Sequence, residues 1–142
     1  MAGPVIDEPD FAKVYEIEPV SFSALMDMVT ACGFKVLRHT PGDLDRTLSR
    51  VGLPWGGMGL SVNAVYMERL VELGCDVLIA GEADSYSFHF ARESGVELIE
   101  TGHEASENPG LGAFCDWLRK EFPGLEVHHY ENPAAYEAPS RG

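Results

Sequence analysis

The chain has 142 residues, 45% of them apolar types and 23% charged, and ten basic against 23 acidic residues leave a formal charge of −13. That length suits one domain around one continuous core. The charge repels nucleic acid and anionic membranes, and no apolar run approaches a membrane-spanning helix, so neither nucleic acid nor membrane is expected as a partner.

An excess of carboxylates reads first as a solubility surface. An anionic substrate would need a metal or a local basic cluster to offset it. No basic stretch followed by an apolar core opens the sequence, so no signal peptide is visible. Cys32, Cys75 and Cys115 are odd in number and widely spaced, without C-x-x-C. This fits a reducing cytoplasm, with each thiol serving as a small apolar core residue.

Residues 1–10 hold three carboxylates and two prolines and read as a loose tail. Phe11 to Val20 reads as an edge strand. Ser21 is placed to cap a helix carrying Phe22, Leu25, Met26 and Val29 at helical spacing, with Gly33 as the stop. Phe34 to His39 reads as a strand, Thr40 to Asp43 as a turn, Leu48 to Leu53 as a second strand and Pro54 to Gly59 as a glycine-rich turn. Val62 to Leu73 predicts a helix with Val62, Val65, Tyr66, Leu70 and Leu73 on its inner face, closed by Gly74. Val77 to Ala80 is a continuous apolar run, as in a buried parallel strand.

Asp84 to Ser94 alternates at Tyr86, Phe88 and Phe90, as a strand would. Gly95 closing it and the better strand at Val96 to Glu100 favour a helix. Asn108 is expected to cap the last helix, with Pro109 at its first position and Leu111, Phe114, Cys115 and Leu118 buried. Pro123-Gly124 stops it, Leu125 to Tyr130 reads as the last strand, and residues 132–142 as a tail or an interface strap. The alternation predicts a single three-layer α/β domain over residues 1–142, with a mostly parallel or mixed sheet and helices on both faces.

The residues with most chemical promise lie where strands end. After the strand at Val96 to Glu100 come Gly102, His103, Glu104 and Glu107. Ligands of parallel α/β sheets usually bind at that edge. Imidazole and carboxylate together suit zinc, manganese or iron. Equally, Glu107 could interact with a helix dipole while His103 bonds the backbone. His103-Glu104-Ala105-Ser106-Glu107 is not read as the protease H-E-x-x-H, because its last residue is Glu and Pro109 follows too closely for a helix. Glu82, after Val77 to Ala80, should leave the same edge near His103, as an orienting partner, a general base or a helix-start carboxylate. Gly56-Gly57-Met58-Gly59 could cradle a phosphate or simply form a tight turn. His89 reads as packed beside aromatic residues. His128 and His129, alternating in a strand, should point to opposite faces.

Four segments in order carry a family resemblance: Val51 to Gly59, Asp76 to Glu82, His89 to Gly95 and Gly102 to Glu107. Together they resemble the C-terminal half of the NGG-interacting-factor-three family, also labelled type-two GTP cyclohydrolase homologues or dinuclear-metal-centre hexameric proteins. The resemblance implies that His103 and Glu107, in its G-H-x-x-x-E motif, are metal ligands. The family's other ligands come from its N-terminal half, as a His-His pair before Pro and an Asp in an N-x-D-type segment. This chain has no His-His-Pro; His39-Thr40-Pro41 is a faint echo, and Asp45 is no substitute for the Asp.

Two functions compete on this reading. One is a metal-dependent, hydrolase-like protein in which His103 and Glu107 hold the metal and Glu82 or Glu104 assists as base. The other is a non-catalytic module kept for oligomerisation or for binding a partner. Either way the chain is expected in a homo-oligomer or with a partner chain supplying the missing ligands. Trp55, Phe88 and the segment near Tyr136 are the candidate contacts.

Overall fold

The structure is a computed structural model that describes residues 6–7 and 13–136. Six strands form one sheet in the order β1-β2-β4-β5-β6-β3. They are β1 Ile6–Asp7, β2 Lys13–Ser21, β3 Arg38–His39, β4 Thr47–Gly52, β5 Val77–Ala80 and β6 Glu97–Glu100. The sheet is mixed: β4, β5 and β6 run parallel, and the outer ladders are antiparallel. Four helices complete the fold: α1 Phe22–Ala31, α2 Ala64–Glu72, α3 Ser85–Glu93 and α4 His103–Glu121.

Phe22, Leu25 and Val29 of α1 pack with Val51, Val77, Ile79 and Ile99 on one face of the sheet. Met67 and Leu70 of α2 and Ala91 of α3 pack with Leu78, Ala80 and Leu98 on the other. β5 and β6 are therefore buried on both faces; β5 is accordingly apolar throughout, while β6 also buries two carboxylates, Glu97 paired with Arg46 and Glu100 paired with Arg38. Each fully buried Leu, Val or Phe contributes roughly 1.5–3 kcal/mol, so the two layers supply most of the driving force.

The helix ends follow the sequence closely. The Ser21 hydroxyl accepts the Ala24 N–H at 3.2 Å, which satisfies one orphan donor of α1. Helices α1, α2 and α3 each run into a glycine with positive φ, at Gly33, Gly74 and Gly95. At each, the following residue bonds back across the last turn: Phe34 to Val29, Cys75 to Leu70 and Val96 to Ala91. That closure turns the chain back toward the core.

Several expectations are corrected. Ile6–Asp7 pairs with β2, so β2 is not an edge strand and part of the supposed tail joins the sheet. Only Arg38–His39 of the segment from Phe34 to His39 is strand. Val62 and Val65 are 85% and 79% exposed, because α2 starts at Ala64 and turns Met67 inward in their place, beside the expected Leu70. Leu125 to Tyr130 forms no strand. β3 already occupies the place beside β6, and this segment runs along α4, tied by Arg119 to the Val127 carbonyl at 2.9 Å and by Asn108 to the Asn132 carbonyl at 3.0 Å. His128 and His129 are accordingly not strand neighbours on opposite faces. Of the cysteines only Cys75 is buried, its thiol pushed by burial up to about 11 against the opposing charge of Arg50.

A further correction concerns α4. It begins at His103 and contains Pro109 in its interior, rather than starting at Asn108. Pro109 leaves the Ala105 carbonyl without its helical donor, a cost that an isolated helix would avoid by starting later. Tertiary contact overrides that preference. Thr101 and Gly102 extend the parallel ladder by donating to the carbonyls of Ala80 and Gly81, so the chain arrives at the sheet's C-terminal edge already held. The expected inner face is absent: Leu111 and Phe114 are about half exposed, and Ser106 alone of α4 is buried. The expected tail at 132–142 lies outside the described residues beyond 136. Among the described residues, no helix is long and apolar enough to cross a membrane.

Candidate functional site

Strands β5 and β6 are parallel neighbours, paired from Val77↔Glu97 to Ala80↔Glu100. Their C-terminal ends therefore deliver Glu82 and His103 to the same edge. The His103 Nδ1 lies 2.9 Å from Glu82 Oε2. Its Nε2 lies 3.3 Å from Glu107 Oε1, one helical turn further along α4. The H-E-A-S-E segment is thus helical after all, and its first and last residues share a face. The three side chains are 39%, 45% and 48% exposed in the order His103, Glu82, Glu107, so the cluster is open to solvent.

This geometry sets the charge state of the imidazole. The hydrogen bond to Glu82 raises the His103 pKa most, aided by the charges of Glu107, Glu82 and Glu104 and opposed by burial. Both neighbouring carboxylates therefore favour the cationic imidazole over the neutral one. Glu104 stands apart. Its Oε2 is enclosed and, among the described residues, has no hydrogen-bond partner. It acts on His103 only through its charge.

Sequence reasoning missed the support beneath this cluster. Gly56–Gly59 forms a short 3-10 turn packed against the start of α4. The Ser106 hydroxyl accepts the Gly56 N–H at 2.9 Å and donates to the His103 carbonyl at 2.7 Å. A side chain at Gly56 would put its Cβ 2.0 Å from Glu107 Oε1, and one at Gly81 would lie 2.3 Å from Ser106 Oγ and 2.6 Å from the Gly56 backbone. The glycines are there to let three segments converge. Two of the turn's backbone donors are taken, Gly56 N–H by the Ser106 hydroxyl and Met58 N–H by the Trp55 carbonyl, and Leu60 just beyond it donates to the Gly57 carbonyl. That argues against a phosphate cradle. The only hint in the sequence was the glycine run itself, whose partner lies fifty residues away.

The other singled-out residues lie elsewhere. His39 bonds the Thr40 carbonyl at 2.7 Å and packs edge-on against Phe22. Asp45 is exposed near Asp43. His89 is exposed on α3. Trp55 stacks on Phe34, and Phe88 lies under the Arg38 guanidinium, so both are partly used by the fold; Tyr136 is half exposed.

A model of the DUF34/NIF3 (NGG1p interacting factor 3) family matches residues 8–134. The chain belongs to that family. Among curated DUF34/NIF3 relatives, a "GTP cyclohydrolase 1 type 2 homolog" of Haemophilus influenzae is 38% identical over 80 residues, covering 56% of this chain and 30% of that protein. A protein of the same name from Neisseria meningitidis serogroup B is 32% identical over 104 residues, covering 70% and 39%. Among solved structures, protein ybgI, described as of unknown function, superposes with TM-score 0.73 at 27% identity over 95% of this chain and 51% of its own. A Bacillus cereus protein related to NIF3 superposes with TM-score 0.72 at 18% identity, over 93% and 36%. This chain therefore spans about half, or less, of the relatives it matches.

Nε2 of His103 and the Glu107 carboxylate converge as one imidazole and one carboxylate ligand would. Among the described residues, no group of three or more His, Cys, Asp or Glu residues could hold a metal ion. The residues present fit part of a coordination shell, since catalytic zinc usually has three protein ligands.

Proposed function

We propose that this chain contributes one half of a divalent-metal site, with His103 and Glu107 as ligands and a second polypeptide supplying the rest. The observation that carries it is the convergence of His103 Nε2 on Glu107 at 3.3 Å, with Nδ1 held by Glu82. A carboxylate on the far nitrogen of a ligating histidine fixes the ring's tautomer and orientation. That makes Glu82 a positioning residue here. A bound metal would lower the pKa of a coordinated water. Glu104, whose Oε2 has no hydrogen-bond partner among the described residues, is the carboxylate left to take up a proton beside the site. A hydrolase-like activity under the relatives' cyclohydrolase name belongs to this same proposal.

Metal must displace the proton that His103 holds, so affinity should fall as pH drops through its raised pKa. The test is titration of zinc and manganese into the chain and into His103→Ala and Glu107→Ala, alone and with a candidate partner chain. Weak binding by the chain alone, lost in both variants and strengthened by the partner, is expected. Binding unchanged in both variants would place any metal elsewhere. Robust hydrolysis by the chain alone, indifferent to chelators, would defeat the mechanism.

One observation favours the second reading, a non-catalytic assembly module. Phe114 stacks on Trp117, Trp117 meets Phe122 edge-on just past the end of α4, and all three stay about half exposed. Such a surface supports a protein contact on α4, whether or not a metal lies at its start.

A further inference from the structure

A protein with 23 carboxylates and ten basic residues has counter-charges to spare, and most of its arginines use them. Arg46, Arg50, Arg69 and Arg119 each pair with a carboxylate. Apart from Lys120 at the end of α4, Lys35 and Arg92 are the ones that do not: among the described residues neither has an ion pair or a side-chain hydrogen bond. Both line the same groove, of about 1190 Å³, which runs along the open edge of the sheet outside β3 with α1 on one side and α3 on the other. Arg38, His39 and His89 line it too, and Asp27 is its one carboxylate among the described residues. Arg38 is already neutralised by Glu100 and bonded to the Ala83 carbonyl at 2.7 Å.

The topology separates the two unpaired cations. The Leu37 N–H reaches the Glu100 carbonyl at the C-terminal end of β6, so Lys35 lies at the sheet's C-terminal edge. Helix α3 starts just beyond the end of β5 and runs back to Gly95, which leads into β6. Arg92, in its last turn, is therefore at the opposite edge. Seven residues of helix from Ser85 to Arg92 span roughly 10 Å. Between these ends the groove is apolar, lined by Met26, Leu37, Leu44 and Phe88.

We propose that this groove binds an elongated organic dianion, an apolar chain of about ten carbons bearing an acid group at each end, matched to the roughly 10 Å that the groove's α3 wall spans from Ser85 to Arg92. Charge complementarity selects the anion, because the rest of the surface repels it. The apolar lining selects the body. The two free cations at opposite ends select a diacid over a fatty acid.

The experiment titrates decanedioate, decanoate and 1,10-decanediol into the full chain, followed by amide chemical shifts, with Lys35→Gln, Arg92→Gln and the double variant. Both side chains are exposed and unpaired, so the variants keep the fold, and an unchanged spectrum outside the groove confirms it. Decanedioate should bind about tenfold more tightly than the diol, with decanoate between them. Each single variant should weaken decanedioate about threefold, and the double variant should bring it to the level of the diol. Shifts should centre on Val36, Leu37 and Phe88. The proposal is overturned by equal affinity for the diol, by no loss in the double variant, by shifts centred on Phe114 and Trp117 of α4, or by no binding at millimolar ligand.

Discussion

Gly56→Ala separates the fold from the site that the fold holds. Gly56 sits at φ +55°, where an alanine costs about 1–2 kcal/mol of backbone strain. Its new Cβ would lie 2.0 Å from Glu107 Oε1 and 2.9 Å from the carboxyl carbon, which no packing tolerates. Glu107 is about half exposed, so its side chain swings into solvent rather than forcing the backbone apart. The loss of its contact with His103 adds only ~0.2–1 kcal/mol, as for other solvent-exposed pairs. The expected destabilisation is about 1–3 kcal/mol, or a fall of roughly 3–10 °C in Tm. Gly33→Ala is the control: Gly33 also has positive φ, but a Cβ there meets nothing within 4 Å. It should show the strain alone. The readouts are urea unfolding of both variants, the His103 titration by NMR and metal binding. With Glu107 displaced, the His103 pKa should fall in Gly56→Ala and metal affinity should drop, whereas Gly33→Ala should leave both unchanged. A Gly56→Ala protein with an unaltered His103 titration would refute the placement of Glu107 over the glycine turn.

Glu82→Gln should lower the His103 pKa more than Glu107→Gln does, because the Glu82 hydrogen bond is the largest influence raising it. A raised histidine pKa stabilises the fold below about 6.5, the unfolded value, and that contribution disappears as pH rises through the folded value. The stability gap between wild type and Glu82→Gln should therefore be widest in mild acid and close toward alkaline pH; a gap that widens with pH would contradict this. Asp84 makes the opposite test at the start of α3. Burial would raise its pKa, but hydrogen bonds from Ser61 and Ser87 outweigh that and hold it at about 2, against an ordinary 3.8. Asp84→Ala should cost ~0.5–2 kcal/mol at neutral pH as a lost helix cap, and the difference from wild type should shrink as pH falls from 3.8 toward about 2. A difference constant across that range in urea unfolding would show that the charge is not what the cap uses.

Much of this protein was determined by its sequence alone, because the deciding interactions are local. Ser21 and the glycines at 33, 74 and 95 close their helices through hydrogen bonds spanning a few residues. The apolar run at Val77 to Ala80 and the apolar Val96, Leu98 and Ile99 that follow the helix stop at Gly95 read as buried strands. Once those strands are parallel neighbours, Glu82 and His103 must emerge together, so their meeting was legible before any coordinate. Other features required the tertiary structure. Where α4 begins depends on a bond between Ser106 and Gly56, fifty residues apart, which outweighs the helix-breaking signal of Pro109. Which stripe of α2 faces inward depends on where the 3-10 turn at Ser61–Asn63 hands over to the helix, a phase that periodicity alone leaves free. Leu125 to Tyr130 has strand-like composition, but a strand needs an open ladder, and β3 had taken the one beside β6. The groove between Lys35 and Arg92 has no sequence signature at all, because its two ends come from segments that meet only across the edge of the sheet.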